Sequence, residues 1–279
     1  MTLSKHQSGL SLIELMIALV ISSFLIIGVT QIYIDNKRSY LFQQNQAENI
    51  EASRFTLLVL QQEVGKAGYR RRPDEPIDMA FPASNPLPEC SFIKGEVAKA
   101  TNSPTASLCI RYQPMEPTDR DCLGNLPVTA DDIVNPYTSA GEIITERIYF
   151  DQGDQSLKCT VISVDKTGSV VRNVDTAELV TGVAGLRFES GIASATDSRA
   201  VNNYTTDPTT KQVLALRYTA LLQSSNPNMR DAVDVDTALS NWKQFTNAPA
   251  AEVTAIKSAD KGQLYQVMQS SIMLRNLMP

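Results

Sequence analysis

A single carboxylate stands at the head of an otherwise apolar stretch. From Leu10 to Ile34 the side chains are apolar almost without break, and Glu14 is the one charged residue among them. As a helix this stretch is roughly 37 Å long at about 1.5 Å per residue, enough to cross a hydrocarbon core of about 30 Å with some tilt. A charge in lipid costs on the order of 2.5–3.5 kcal/mol at a helix centre, and less near an end. A chain that tolerates this cost uses the acid, and the chemistry open to it there is pairing with a cation. The preceding residues, Lys5-His6-Gln7-Ser8-Gly9, are hydrophilic. A secretory signal is cut after its apolar segment; here the order is inverted. Cleavage after Gly9 leaves the whole apolar helix on the mature chain, with Glu14 one turn from a new α-amino group on Leu10.

Other chemistry is sparse. The only histidine, His6, precedes that cleavage point. A mature chain without histidine runs no Ser-His-Asp or Cys-His mechanism and holds no zinc through imidazole. No enzyme activity, metal or cofactor is expected. Asp231, Asp234 and Asp236 raise a calcium reading, but the EF-hand pattern with its central glycine and terminal glutamate is missing, so a solvated turn is expected. Arg70-Arg71-Arg72 reads as a cationic helix end that complements the dipole. With a net charge of −5 and both signs mixed, there is no footprint for nucleic acid. Trp242, the one tryptophan, reads as core. Four cysteines, Cys90, Cys109, Cys122 and Cys159, form no C-x-x-C pair. An even count in an exported domain suggests two disulfides. Three connectivities are possible; pairing sequence neighbours without crossing favours Cys90–Cys109 and Cys122–Cys159.

The elements that must position these residues begin with one long helix. No proline interrupts the chain from Leu10 to Gly68, and the glycines on the way are Gly28 and Gly65. Leu57, Leu60, Val64 and Ala67 recur at i, i+3, i+7 and i+10, one helical face. Ile50 and Phe55 extend that contact; Gln44, Glu48, Glu51, Gln61 and Lys66 fall on exposed positions. Gly68 is a C-cap candidate, with Pro73 shortly beyond. The expected domains are residues 1–9, a helix over 10–72 with 10–34 in the membrane, and a β-rich domain over 73–279. Residues 73–90, rich in Pro, Asp and Ser, read as a loop. Strands are expected over 107–113, 143–150, 157–164, 183–189, 212–223 and 264–275, and a short helix or loop excursion over 231–245. About 245 residues beyond the leader and span suffice for one sizeable domain or two small ones. Charge does little to orient the span, since Lys5 lies before it and Lys37 and Arg38 after it.

The run Gly9-Leu10-Ser11-Leu12-Ile13-Glu14-Leu15-Met16 resembles the cleavage and methylation motif of type IV prepilins and type II secretion pseudopilins. The usual first mature residue is Phe, and Leu10 departs from it. Val180 to Phe188, Ile272 to Asn276 and the Gly68-Tyr69-Arg70 helix exit resemble the larger minor pilins of the PilW type. Major pilins often carry a proline within the long helix; this chain has none. The resemblance implies an α+β, pilin-like fold, a long N-terminal helix with a membrane half and a soluble half, packed on a C-terminal antiparallel β-sheet domain. It implies that prepilin peptidase cuts after Gly9 and methylates Leu10, and that Glu14 pairs with the N-terminal amine of a neighbouring subunit. It also implies a low-abundance structural subunit that helps initiate pilus assembly at or near the tip. Its partners would be other minor pilins, the major pilin, the inner membrane and a tip adhesin, with the C-terminal domain periplasmic and, after assembly, extracellular. Two rivals are a J-type secretion pseudopilin and a membrane-anchored periplasmic binding or sensor domain.

Overall fold

The computed structural model describes residues 11–135, 137–138, 141–194, 199–208, 213–230 and 233–277. Helix α1 runs from Leu12 to Lys66, 55 residues. The chain divides into two units, Met1–Gln46 and Ala47–Pro279. In the first, α1 has no polar face from Leu12 to Ile34. Leu12, Ile13, Phe24 and Ile27 are all mostly exposed, and Ser22 and Ser23 turn their hydroxyls back to the carbonyls of Ala18 and Val20. A helix apolar all round suits lipid or other helices rather than water.

In the second unit α1 becomes one-sided. Leu60, Val64 and Ala67 are fully buried, Leu57 is partly buried, and Ile50 and Phe55 face outward, against expectation. The buried stripe continues upstream as Asn49, Ser53 and Thr56, whose polar groups bond to carbonyls: Asn49 to Leu264, Ser53 to Asn49, Thr56 to Ala52. The apolar repeat therefore stops at Leu57, while the buried face does not. The helix ends at Lys66, six residues short of the expected boundary. Gly68 turns the chain with φ of +75°, where a Cβ would come within 3.0 Å of Val97.

The remaining elements are α2 (Ile77–Ala80), β1 (Ser84–Leu87), β2 (Cys90–Phe92), β3 (Ala98–Thr101), β4 (Ser107–Tyr112), β5 (Ile143–Asp151), β6 (Ser156–Val164), β7 (Val170–Thr181), β8 (Val183–Ala193), β9 (Val201–Thr205), β10 (Val213–Gln223), α3 (Val235–Ala238), α4 (Ser240–Thr246), α5 (Ala250–Ala259) and β11 (Tyr265–Met273). All strand pairs are antiparallel. A five-stranded sheet is ordered β3-β4-β5-β6-β7, a four-stranded one β11-β10-β8-β9, and β1 with β2 forms a ribbon. Residues 73–90 are therefore not all loop, because α2 and β1 form there. The chain passes between the two large sheets at Gly182, with φ of +73°, where a Cβ would lie 2.9 Å from the Gln223 carbonyl oxygen. One core joins α1 to both sheets: Leu60 and Val64 meet Leu108, Ile148 and Val161 of one and Phe188, Leu216 and Tyr218 of the other. Trp242 is buried in a smaller core with Leu221, Leu239, Val253 and Ile256, as expected.

Candidate assembly site and its anchor

Gly9 and Leu10, the expected processing residues, lie outside the described residues. Glu14 opens α1. Its carboxylate accepts a hydrogen bond from the Ser11 backbone N–H at 3.0 Å. Ser11-Leu12-Ile13-Glu14 thus makes half of a capping box, satisfying one of the donors that every helix start leaves over. Glu14 pairs with no cation among the described residues. An acid there can hold its own first turn, or accept from a stronger donor brought by another chain.

At the other end of α1 the arrangement is the opposite. Glu63 and Lys66 turn inward toward β4, β5 and the loop after β4. Lys66 Nζ donates to Glu63 Oε2 at 2.6 Å and to the Arg120 carbonyl at 2.5 Å, and stands 5.5 Å from the centre of the Tyr112 ring. Tyr112 donates its hydroxyl to Glu146 Oε1 at 2.7 Å, and the Cys122 N–H reaches the same oxygen at 3.0 Å. Glu146 is fully buried, and its Oε2 has no donor among the described residues. Burial pushes the Glu146 carboxyl well above its ordinary value, and the Glu63 charge adds to this. Burial also raises Glu63, while Lys66 pulls it back. Burial opposes the Lys66 charge, but the Glu146 and Glu63 carboxylates outweigh it and raise its pKa. One ammonium faces two carboxyls; a proton retained between the acids lets Glu146 donate and fills its unmet valence. Lys66 had been expected on the surface, so this cluster was missed. Charged residues at Glu63 and Lys66 look like any solvated i,i+3 pair in the sequence.

Both disulfides form between sequence neighbours. Cys90–Cys109 ties β2 to β4 with 5.6 Å between Cα atoms, and Cys122–Cys159 ties the loop after β4 to β6 with 6.5 Å. Cys122, Cys159 and Glu146 stand together like metal ligands, but the disulfide leaves no thiolate to bind one. Arg71 is no helix-end cation. It is buried and donates to the carbonyls of Pro114, Met115, Ile133, Asn135 and Thr138, pinning the long loop after β4. Two members of the acidic triplet are also in structural use. Asp234 caps α3 by accepting from Thr237 N and Oγ1, both at 2.9 Å, and Asp236 pairs with Lys243 and Lys257. Asp231 lies outside the described residues.

An exposed apolar helix headed by one acid, leading into antiparallel sheets that share its buried end, defines a type IV pilin-like protein. The family models agree: residues 4–30 match the prokaryotic N-terminal methylation motif, and residues 149–276 match Type IV Pilus-assembly protein W. The chain is accordingly a type IV pilin-like protein that carries a PilW domain over residues 149–276. This is a family of structural pilins. Among solved structures, a type IV-like pilin from Thermus thermophilus is similar at 13% identity and a TM-score of 0.44, over 82% of this chain and 97% of that one. No curated protein matches the sequence.

Proposed function

We propose that the chain is a minor type IV pilin that helps initiate pilus assembly, at or near the tip. The observation that carries this reading is Glu14, the lone acid of the apolar stretch of α1, bonded among the described residues only within its own first turn. In this reading residues 1–9 are a leader that prepilin peptidase removes after Gly9, and Leu10 is then methylated. The apolar half of α1 holds the subunit in the inner membrane with the disulfide-bonded domain on the periplasmic side. On extraction, helices of neighbouring pilins rebury that surface, and the Glu14 carboxylate exchanges the Ser11 N–H for a neighbour's N-terminal amine. A charge pair inside a dry helix bundle is costly out of register, so it selects one axial alignment. Minor pilins, the major pilin and a tip adhesin are the partners in this reading.

The test is Glu14→Ala. The variant remains in the membrane, but its recovery with the other pilins falls on the order of a hundredfold, the equivalent of about 3 kcal/mol for a broken buried pair. Normal piliation and normal co-purification would refute the reading. Gly9→Val tests processing by mass spectrometry of the N-terminus: the wild type begins at methylated Leu10, the variant at Met1. An unprocessed wild-type N-terminus would instead favour a tethered periplasmic binding domain.

A further inference from the structure

Among the described residues, the four-stranded sheet leaves part of one strand edge uncovered. Strand β9 pairs with β8 only from Ser190 to Ala193. Over the rest of β8, the other edge is taken by β10 in a register that sets Phe188 opposite Tyr218 and Leu186 opposite Ala220 and shifts only beyond Gly185. Phe188 shows which way this stretch faces. Its N–H donates to Asn102 Oδ1 at 2.9 Å and its carbonyl accepts from Asn102 Nδ2 at 2.7 Å, so both groups point away from β10. Residues two apart in a strand present their main chain to the same edge. The N–H and carbonyl of Leu186 therefore point outward too, and they meet no partner among the described residues. The Asn102 side-chain amide does for Phe188 what a neighbouring strand does elsewhere.

Leu186 lines a half-enclosed cavity of about 470 Å³ in the space a further strand would occupy. One wall is α5, through Ala255 and Ile256; the other is formed by residues 102–106 and the β5–β6 turn, with Phe150 on its apolar side. Two amides close one end. Gln223 Nε2 donates to Gln155 Oε1 at 2.7 Å, leaving the Gln155 amino group and the Gln223 carbonyl for a peptide unit. The volume lies in the range of small-ligand and short-peptide sites. We propose that this cavity receives a short extended peptide segment of another protein, which adds to the β8 edge in line with β9. Main-chain bonds to Leu186 hold it, and a small apolar side chain fills the space beside Phe150 and Ile256. This is strand addition, with affinity from the backbone and selectivity from the pocket. The proposal does not depend on the pilin reading, since it needs only the sheet edge and the cavity.

Trp242 reports on the site, because it is the only tryptophan and its ring packs on Gly185, a lining residue. The experiment titrates the full chain in detergent with the blocked hexapeptide acetyl-Thr-Val-Thr-Val-Thr-Val-amide. Trp242 emission and NMR-resolved exchange of the Leu186 amide are followed. A second probe is the same peptide N-methylated at alternate residues, which keeps the side chains but cannot pair along one edge. The expected result is saturable binding, Leu186 exchange slowed about tenfold, and binding weakened about tenfold both for the methylated peptide and for Ala255→Phe, which fills the cavity. Equal binding of the methylated peptide would overturn the proposal, because the cavity would then take apolar groups without pairing. So would a Leu186 amide already fully protected in the free chain, or no binding at millimolar peptide.

Discussion

The two ends of α1 place acids in apolar surroundings in different ways. Near the start, Glu14 has among the described residues only the Ser11 N–H, a neutral donor supplied by its own turn. Near the end, Glu63 and Glu146 have Lys66, the Tyr112 hydroxyl and the Cys122 N–H, all from within one unit. A buried charge costs several kcal/mol unless paired and hydrogen-bonded. At the end of α1 the fold itself meets that requirement. At the start no cation among the described residues meets it, and in the proposed reading the partner comes from another chain. An acid's surroundings, rather than its presence in an apolar segment, thus separate the structural role of Glu63 and Glu146 from the assembly role proposed for Glu14.

The largest effect on stability is expected where the internal pairing is broken. Lys66→Met leaves two buried carboxyls without their cation, and thermal unfolding of the domain is expected to show a loss of about 3–5 kcal/mol. For a domain of this size that is a fall of roughly 10 °C. Glu14→Ala sharpens the contrast: it is expected to weaken co-assembly about a hundredfold while leaving the midpoint unchanged within about 0.5 kcal/mol. A large shift in that midpoint, or none for Lys66→Met, would break the comparison.

Removing the crosslink beside the cluster comes next. Cys122→Ser with Cys159→Ser opens a loop whose ends are 37 residues apart and frees the segment whose N–H holds Glu146. The expected loss is about 4 kcal/mol from loop entropy. Opening Cys90–Cys109, with a separation of 19, is expected to cost somewhat less, because a shorter loop has less freedom to gain and this bond stands in a separate small core. Denaturant melts of the two double variants give the order directly; a reversed order would show that the cluster does not depend on the Cys122 segment.

What could be read from the residues alone follows the same division. The long helix was legible because nothing between Leu10 and Gly68 breaks it and because Leu57, Leu60, Val64 and Ala67 share a face. The buried strands β4, β6 and β10 were legible from apolar runs. Strand β7 was not: Asn173 to Glu178 are all exposed, so no alternation marks them, and pairing with β6 makes them a strand. Residues 250–259 went unread as helix because the segment is short and its buried residues, Val253 and Ile256, make only one turn of pattern. Arg71 and Lys66 were misread for one reason. Their burial depends on carbonyls and carboxyls 40 to 80 residues away in the chain, and local pattern carries no trace of those. At the start of α1, by contrast, the motif around Glu14 was local and legible.

The smallest effect is the most discriminating. A carboxyl whose folded pKa is raised gives stability that is fully present below its unfolded pKa and is lost as pH rises through the folded value. Burial and the Glu63 charge raise Glu146 well above 4.5. Its contribution should therefore be complete below about pH 4.5 and fall above it, by up to about 1.4 kcal/mol per pH unit until it ionises. Glu146→Gln keeps the shape, accepts from Tyr112 and Cys122, donates to Glu63 and does not titrate. Near pH 4.5 the variant should be within about 1 kcal/mol of the wild type. As pH rises toward 8 the difference should move in the variant's favour, because the wild type alone is pressed to release a proton from a dry site. Stability curves of the two proteins measured across that range decide it. A constant difference would mean that Glu146 is already ionised and fully paired with Lys66, and the proton retained between the two acids would have to be abandoned.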